Sequence, residues 1–194
     1  MNNTKIKRMA GISLLIALVV VLQMVGGMIP PIGGFSISLV LIPIVLGAAV
    51  YGPGGGAILG AAFGIIVVIN CITGADVGGQ MVFQANPLLC ILVVMAKGIL
   101  AGLASGLVYQ GLKGKNPYVA MLLAAGICPV VNTGVFVSCM LTFFKDVLSV
   151  WAGGGDIIAY VLSGLILCNF VPELIINLVF SPAAQRILQT VQKK

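Results

Sequence analysis

Apolar residues fill this chain in long runs, and polar ones gather in the short stretches between them. Six runs stand out, over residues 9–28, 35–51, 53–72, 87–112, 118–144 and 157–180. A helix that crosses a bilayer needs ~20 mostly apolar residues, and each run reaches or approaches that length. The second and third are the shortest, and they meet in the uncharged segment Tyr51-Gly-Pro-Gly-Gly-Gly56. The pattern predicts an all-α membrane protein, a single bundle of six transmembrane helices forming one domain over 1–194.

Composition agrees: 60% of residues are hydrophobic and the mean hydropathy is +1.22. Charge then orients the bundle. With the N-terminus inside, Lys5, Lys7, Arg8, Lys113, Lys115, Arg186, Lys193 and Lys194 are all cytoplasmic, which is eight of the ten basic residues. That excess is the positive-inside signature, and it puts both termini in the cytoplasm. Asp76, Asp146 and Asp156 fall on the outer side with Lys145. The formal net charge of +6 therefore reads as topology and contact with anionic inner-leaflet lipid, not as nucleic-acid binding. The basic, then apolar, first segment is expected to remain as a helix, because it is too long for the apolar core of a signal peptide.

Two connections on the outer side are long, Thr73 to Asn86 and Lys145 to Asp156, the second carrying the single tryptophan, Trp151. They read either as a lid over an outward-facing pocket or as solvated loops. Small residues recur every fourth position at Gly56, Gly60 and Gly64, at Gly98, Gly102 and Gly106, and at Ser13 and Ala17. Such seams let helix backbones approach closely in a membrane. The two glycine ridges are expected to pack within the chain, whereas the Ser13–Ala17 seam, on an otherwise bulky helix, is a candidate for contact with a partner protein. The five cysteines, at 71, 90, 128, 139 and 168, show no CxxC spacing and read as buried thiols. With no histidine in the chain, histidine-based dyads and zinc sites are excluded, and no metal or other cofactor is expected. Tyr51 to Gly56 lacks the Gly-Lys-Ser/Thr of a phosphate loop, so the chain has no ATPase of its own.

The polar residues inside the apolar runs carry the candidate chemistry. Lys97 lies within 87–112, where a lone ammonium costs about 2.5 to 3.5 kcal/mol even on the mildest scale and marks a functional site by default. Counting ~1.5 Å of rise per residue sets Lys97, Asn132 and Asn169 level with one another. Glu173 falls one turn deeper, so that a direct Lys97–Glu173 pair is stretched. Asn132 follows Pro129 and precedes Gly134, a spacing expected to kink or break the fifth helix near midplane, where discontinuous helices bind substrates in transporters. Asn169, Glu173 and Asn177 recur every fourth residue down the last helix. Asn169 is the ligand candidate, while Glu173 and Asn177 read as structural. Gln84 and Asn86, just above the fourth helix, complete the candidate ligand set.

The stretches Ser13-Leu-Leu-Ile-Ala17-Leu, Ile42-Pro-Ile-Val-Leu-Gly47, Ala49-Val-Tyr-Gly-Pro-Gly-Gly-Gly-Ala-Ile-Leu-Gly60, Ala96-Lys-Gly-Ile-Leu-Ala-Gly102, Pro129-Val-Val-Asn-Thr-Gly134 and Pro172-Glu-Leu-Ile-Ile-Asn177 together resemble the substrate-binding (S) components of energy-coupling factor (ECF) transporters. The resemblance covers nearly the whole chain. It implies a multi-pass protein of a prokaryotic cell membrane, without enzymatic activity, that captures a vitamin from outside with high affinity. It further implies docking on a transmembrane coupling subunit that carries two cytoplasmic ATPases. The family docks through Ala-xxx-Ala on the first helix, and Ser13 and Ala17 occupy those positions here.

Lys97 with Asn132 and Asn169 suits a small anion bearing amide and hydroxyl groups. The segment Cys128 to Gly134 is also similar to the pantothenate-type branch of that family, which implies pantothenate as ligand. A histidine-free chain fits nickel or cobalt poorly. With aromatics at only 7%, a pocket that stacks thiamine or riboflavin is less expected. Other vitamin-like ligands (riboflavin, a pyridoxine relative, a queuosine precursor) and an ATP-independent channel or facilitator stay open as alternatives.

Overall fold

The computed structural model describes residues 3–28 and 39–192, and these are helical with short turns, without a strand. In chain order the elements are α1 (Asn3–Met28), α2 (Leu41–Thr73), α3 (Val77–Ala85), α4 (Pro87–Leu112), α5 (Pro117–Phe143), α6 (Lys145–Trp151), α7 (Ile157–Tyr160), a π-helical segment (Val161–Phe170) and α8 (Val171–Gln192). Local sequence explains where they begin. Asn86 and Asn116 cap α4 and α5 through their side-chain oxygens, each just ahead of a proline at the first helical position. A capping side chain satisfies amides that the first turn leaves open, and proline there forfeits no bond. Asp76 and Asp156 cap α3 and α7 in the same way.

Five helical stretches are long and apolar enough to cross a membrane: Lys5–Gly27, Leu41–Thr73, Pro87–Leu112, Pro117–Phe143 and Ile157–Thr190. The second is not a straight rod. Gly52 has φ 82° and ψ −177°, followed by Pro53, a backbone state that suits glycine alone. Beyond this point the chain doubles back: a Cβ placed on Gly47 would strike the Leu59 side chain, and one on Gly56 would meet the Ala48 methyl at 2.7 Å. Residues twelve and eight apart along a straight helix cannot touch, so 41–51 and 53–73 are antiparallel arms of a helical hairpin. The first arm rises only about 16 Å. The predicted run 35–51 begins in residues 29–38, which lie outside the described residues.

The returning arm packs on α4 at backbone distance. A Cβ on Gly60 would fall on the Gly98 carbonyl oxygen, one on Gly56 or Gly102 on the other's carbonyl, and one on Gly106 at 2.5 Å from the Pro53 Cα. The two glycine ridges therefore zip together antiparallel within the chain, as expected of small-residue seams. Ser105 donates to the Ala124 carbonyl at 3.0 Å and ties α4 to α5. Helix α1 is peripheral: among the described elements it contacts only α2. It buries Leu15 and Val19, and exposes Leu14, Leu18, Val21 and Val25.

Three expectations change. The segments 73–86 and 145–156 are not mere loops, because each carries a short helix, α3 or α6. Helix α5 runs unbroken through Pro129, so no discontinuous site forms there. The irregular backbone lies instead in the π segment, which ends just before Pro172 and closes with the Val171 amide donating to the Ile166 carbonyl. A proline ring clashes with the carbonyl four residues back, and wider π winding relieves that crowding. π turns recur at functional positions. The last helix also continues past residue 180, to Gln192.

Candidate ligand-binding site

The returning arm of α2, α4, α5 and the last helix leave a space between them at the end of the bundle where α3 and α6 sit. It is a cavity of about 120 Å³, lined by both polar and apolar groups. Lys97, Asn132, Asn169 and Glu173 all line it. Glu173, one turn deeper by residue count, thus shares the cavity with Lys97, and the π segment ahead of it advances less per residue than an α-helix would.

Lys97 is half-buried and its Nζ lies 4.7 Å from the centre of the Phe136 ring and 5.8 Å from that of Phe63. Each cation–π contact contributes about 0.5 to 2 kcal/mol. The two rings together contribute about 1 to 4 kcal/mol, comparable with the cost of burying the ammonium, and a ligand's negative charge adds to that stabilisation. Asn132 and Thr133 are 5% and 6% exposed, and Asn132 Oδ1 and Thr133 Oγ1 have no hydrogen-bond partner among the described residues. An unsatisfied buried polar group costs about 1 to 3 kcal/mol. Two of them side by side at a cavity are groups held ready for a ligand's donors.

Gln84 and Asn86 are exposed and do not line this cavity. The Asn86 side chain is engaged in accepting the Leu89 amide at 3.1 Å. Lining residues that the apolar pattern did not single out are Gln23 of α1, Asn70 near the end of α2, Thr133 and Trp151. Gln23 and Asn70 are polar residues inside apolar runs, the same signal that marked Lys97. Trp151, far from the apolar runs, gave none. Its position corrects a premise: it belongs to helix α6 and, with Phe63 and Phe136, places three aromatic rings in the cavity wall. A low overall aromatic content does not prevent local convergence.

At the opposite end, Arg8 donates to the Tyr51 carbonyl at 3.4 Å and Tyr109 bonds Gln185 at 3.3 Å. The basic N-terminal turn, the Gly52 reversal, and the C-terminal parts of α4 and α8 are thereby gathered together, away from the cavity. Ser13 and Ala17 are both exposed on α1.

A polar cavity buried among helices of membrane-crossing length defines a membrane-embedded protein that captures a small molecule. Residues 7–184 match the ECF transporter, substrate-specific component family, and the chain belongs to it. Members of that family are substrate-binding subunits of transporters, not enzymes, and they serve a membrane-embedded module with ATPases. No curated protein matches the sequence.

Proposed function

We propose that this chain is the S component of a pantothenate importer. It crosses the cell membrane six times, the arms around Gly52 being separate crossings, with both termini in the cytoplasm and the cavity open to the outside. The observation that carries the reading is the convergence of Lys97, Asn132, Thr133 and Asn169 on one cavity, with two buried oxygens that lack hydrogen-bond partners among the described residues. Pantothenate offers one carboxylate to the ammonium, and an amide and two hydroxyls to the side-chain oxygens. Glu173 and Asp76 accept from the hydroxyls and so need not repel the ligand. The segregation of basic residues to the end opposite the cavity supports the orientation. The exposed Ser13 and Ala17 support α1 as the face that docks on the coupling subunit, whose two ATPases supply the energy.

A second reading rests on Phe63, Phe136 and Trp151, which favour a ring-bearing vitamin of the riboflavin or pyridoxine kind. Mass spectrometry of the small molecule retained through purification in detergent decides between them: pantothenate is expected, and a flavin or pyridine in its place overturns the assignment.

A further inference from the structure

The cysteines of this chain carry no chemistry in the proposed capture of ligand, yet two of them meet. Cys71, near the end of the returning arm of α2, and Cys90, in the first turns of α4, are each 1% exposed. Both line the cavity, and they continue the two facing glycine ridges, Cys71 seven residues beyond Gly64 and Cys90 eight before Gly98, so the antiparallel zipper sets them on facing sides of the two helices. Between them runs the segment 72–89, which holds α3 and contributes Asp76, Gly79 and Val82 to the cavity wall. Gly79 lies directly on Cys71: a Cβ there would come within 2.5 Å of its sulfur. The two sulfurs thus stand at the two roots of the helix that roofs the cavity.

We propose that Cys71 and Cys90 are an oxidation site, a dithiol that closes to a disulfide and narrows the cavity by tying α2 to α4 beneath α3. The oxidant is a peroxide small enough to enter a cavity that admits water. The thiolate of one cysteine attacks a peroxide oxygen, the O–O bond breaks, and one water leaves a sulfenic acid behind. The sulfur of the second cysteine attacks this sulfenic sulfur, the S–O bond breaks, and a second water departs. Overall two thiols and one hydrogen peroxide give one disulfide and two waters. A disulfide holds its two sulfurs about 2 Å apart, closer than any non-bonded contact, so the helices are drawn together where both face the cavity. Reduction by a dithiol reopens it.

The test uses the purified full-length protein and does not depend on knowing its ligand, so failure of the pantothenate assignment leaves it intact. Hydrogen peroxide is added, thiols are alkylated after denaturation, and the protein is digested. Alkylated cysteines are expected to fall from the five of the reduced chain to three, with the peptides of Cys71 and Cys90 joined and lighter by about 2 Da. Trp151, the single tryptophan and a cavity residue, reports closure: quenching of its fluorescence by acrylamide is expected to weaken on oxidation and to recover with dithiothreitol. Cys71→Ser and Cys90→Ser are each expected to abolish the joined peptide and the change in quenching. Sulfinic or sulfonic acid at these positions without a joined peptide overturns the proposal. So does a joined peptide that leaves quenching unchanged, since the bond then does not govern the cavity.

Discussion

Helix α1 and the zipped pair of α2 and α4 carry the same kind of small-residue seam, and the bundle uses them in opposite ways. At Gly56–Gly102 and Gly60–Gly98 the seams are spent on one another, with carbonyls where a side chain would stand. At Ser13 and Ala17 the seam faces outward on a helix that touches only α2 among the described elements. The first is an interior built at backbone distance, rigid enough to hold Lys97 one position from Gly98. The second is a surface that costs nothing to leave uncovered in lipid, because lipid tails are as apolar as leucine. A spacing motif therefore states how closely a helix can be approached, and the rest of the bundle decides by what.

The sharpest way to break the comparison is to place the same side chain on both seams. Gly60→Leu drives a side chain into a carbonyl that cannot step aside, a strain beyond the about 1 to 3 kcal/mol of ordinary overpacking. Gel filtration after detergent extraction is expected to show aggregate and no folded monomer. Ser13→Leu in the same assay is expected to behave as the parent protein; if both variants aggregate, the outer seam is structural too.

Next in size is the effect of Ala17→Trp. Co-expressed with the coupling subunit and ATPases, this variant is expected to lose co-purification and uptake while it retains ligand in detergent. Unaided ligand flux in vesicles that lack ATPases would instead favour a facilitator.

On the interior side, Lys97→Met removes the charge that meets the ligand carboxylate while keeping much of the bulk. Truncating one partner of a buried charged pair costs about 2 to 5 kcal/mol, so pantothenate affinity by isothermal titration is expected to drop roughly 30-fold to several thousand-fold. Thermal stability should hold or rise, since the desolvation of an ammonium is relieved. Undiminished binding would make Glu173 the true partner, and a double-mutant cycle with Glu173→Gln would then measure their coupling.

Smallest is Asn132→Leu. It deletes one neutral hydrogen bond to ligand, worth about 0.5 to 1.5 kcal/mol, and is expected to weaken affinity by roughly two- to tenfold without loss of stability. Gln84→Ala, exposed and outside the cavity, serves as its control with no expected change in affinity.

Much of the site was legible because polar groups inside apolar runs are expensive and therefore few. Lys97, Asn132 and Asn169 declared themselves that way, and Gln23 and Asn70 carried the same mark. Trp151 and Thr133 could not be found so, since a tryptophan between spans and a threonine within one are unremarkable until neighbouring helices fold over them. Glu173 was visible too, though the π segment that precedes it was not. Pro129, expected to break α5, leaves it unbroken, and the backbone departs from α geometry ahead of Pro172 instead.

By itself the sequence determined the helical membrane character, the glycine zipper, the gathering of basic charge at one end and the identity of the lone intramembrane cation. These follow from periodicity and from solvation costs that act on each residue separately. Only the tertiary structure decided that Phe63, Phe136 and Trp151 converge on a cavity, that Glu173 shares it with Lys97, and that Cys71 and Cys90 come to face each other across it. Each of these depends on where two distant segments come to lie, which no local pattern encodes.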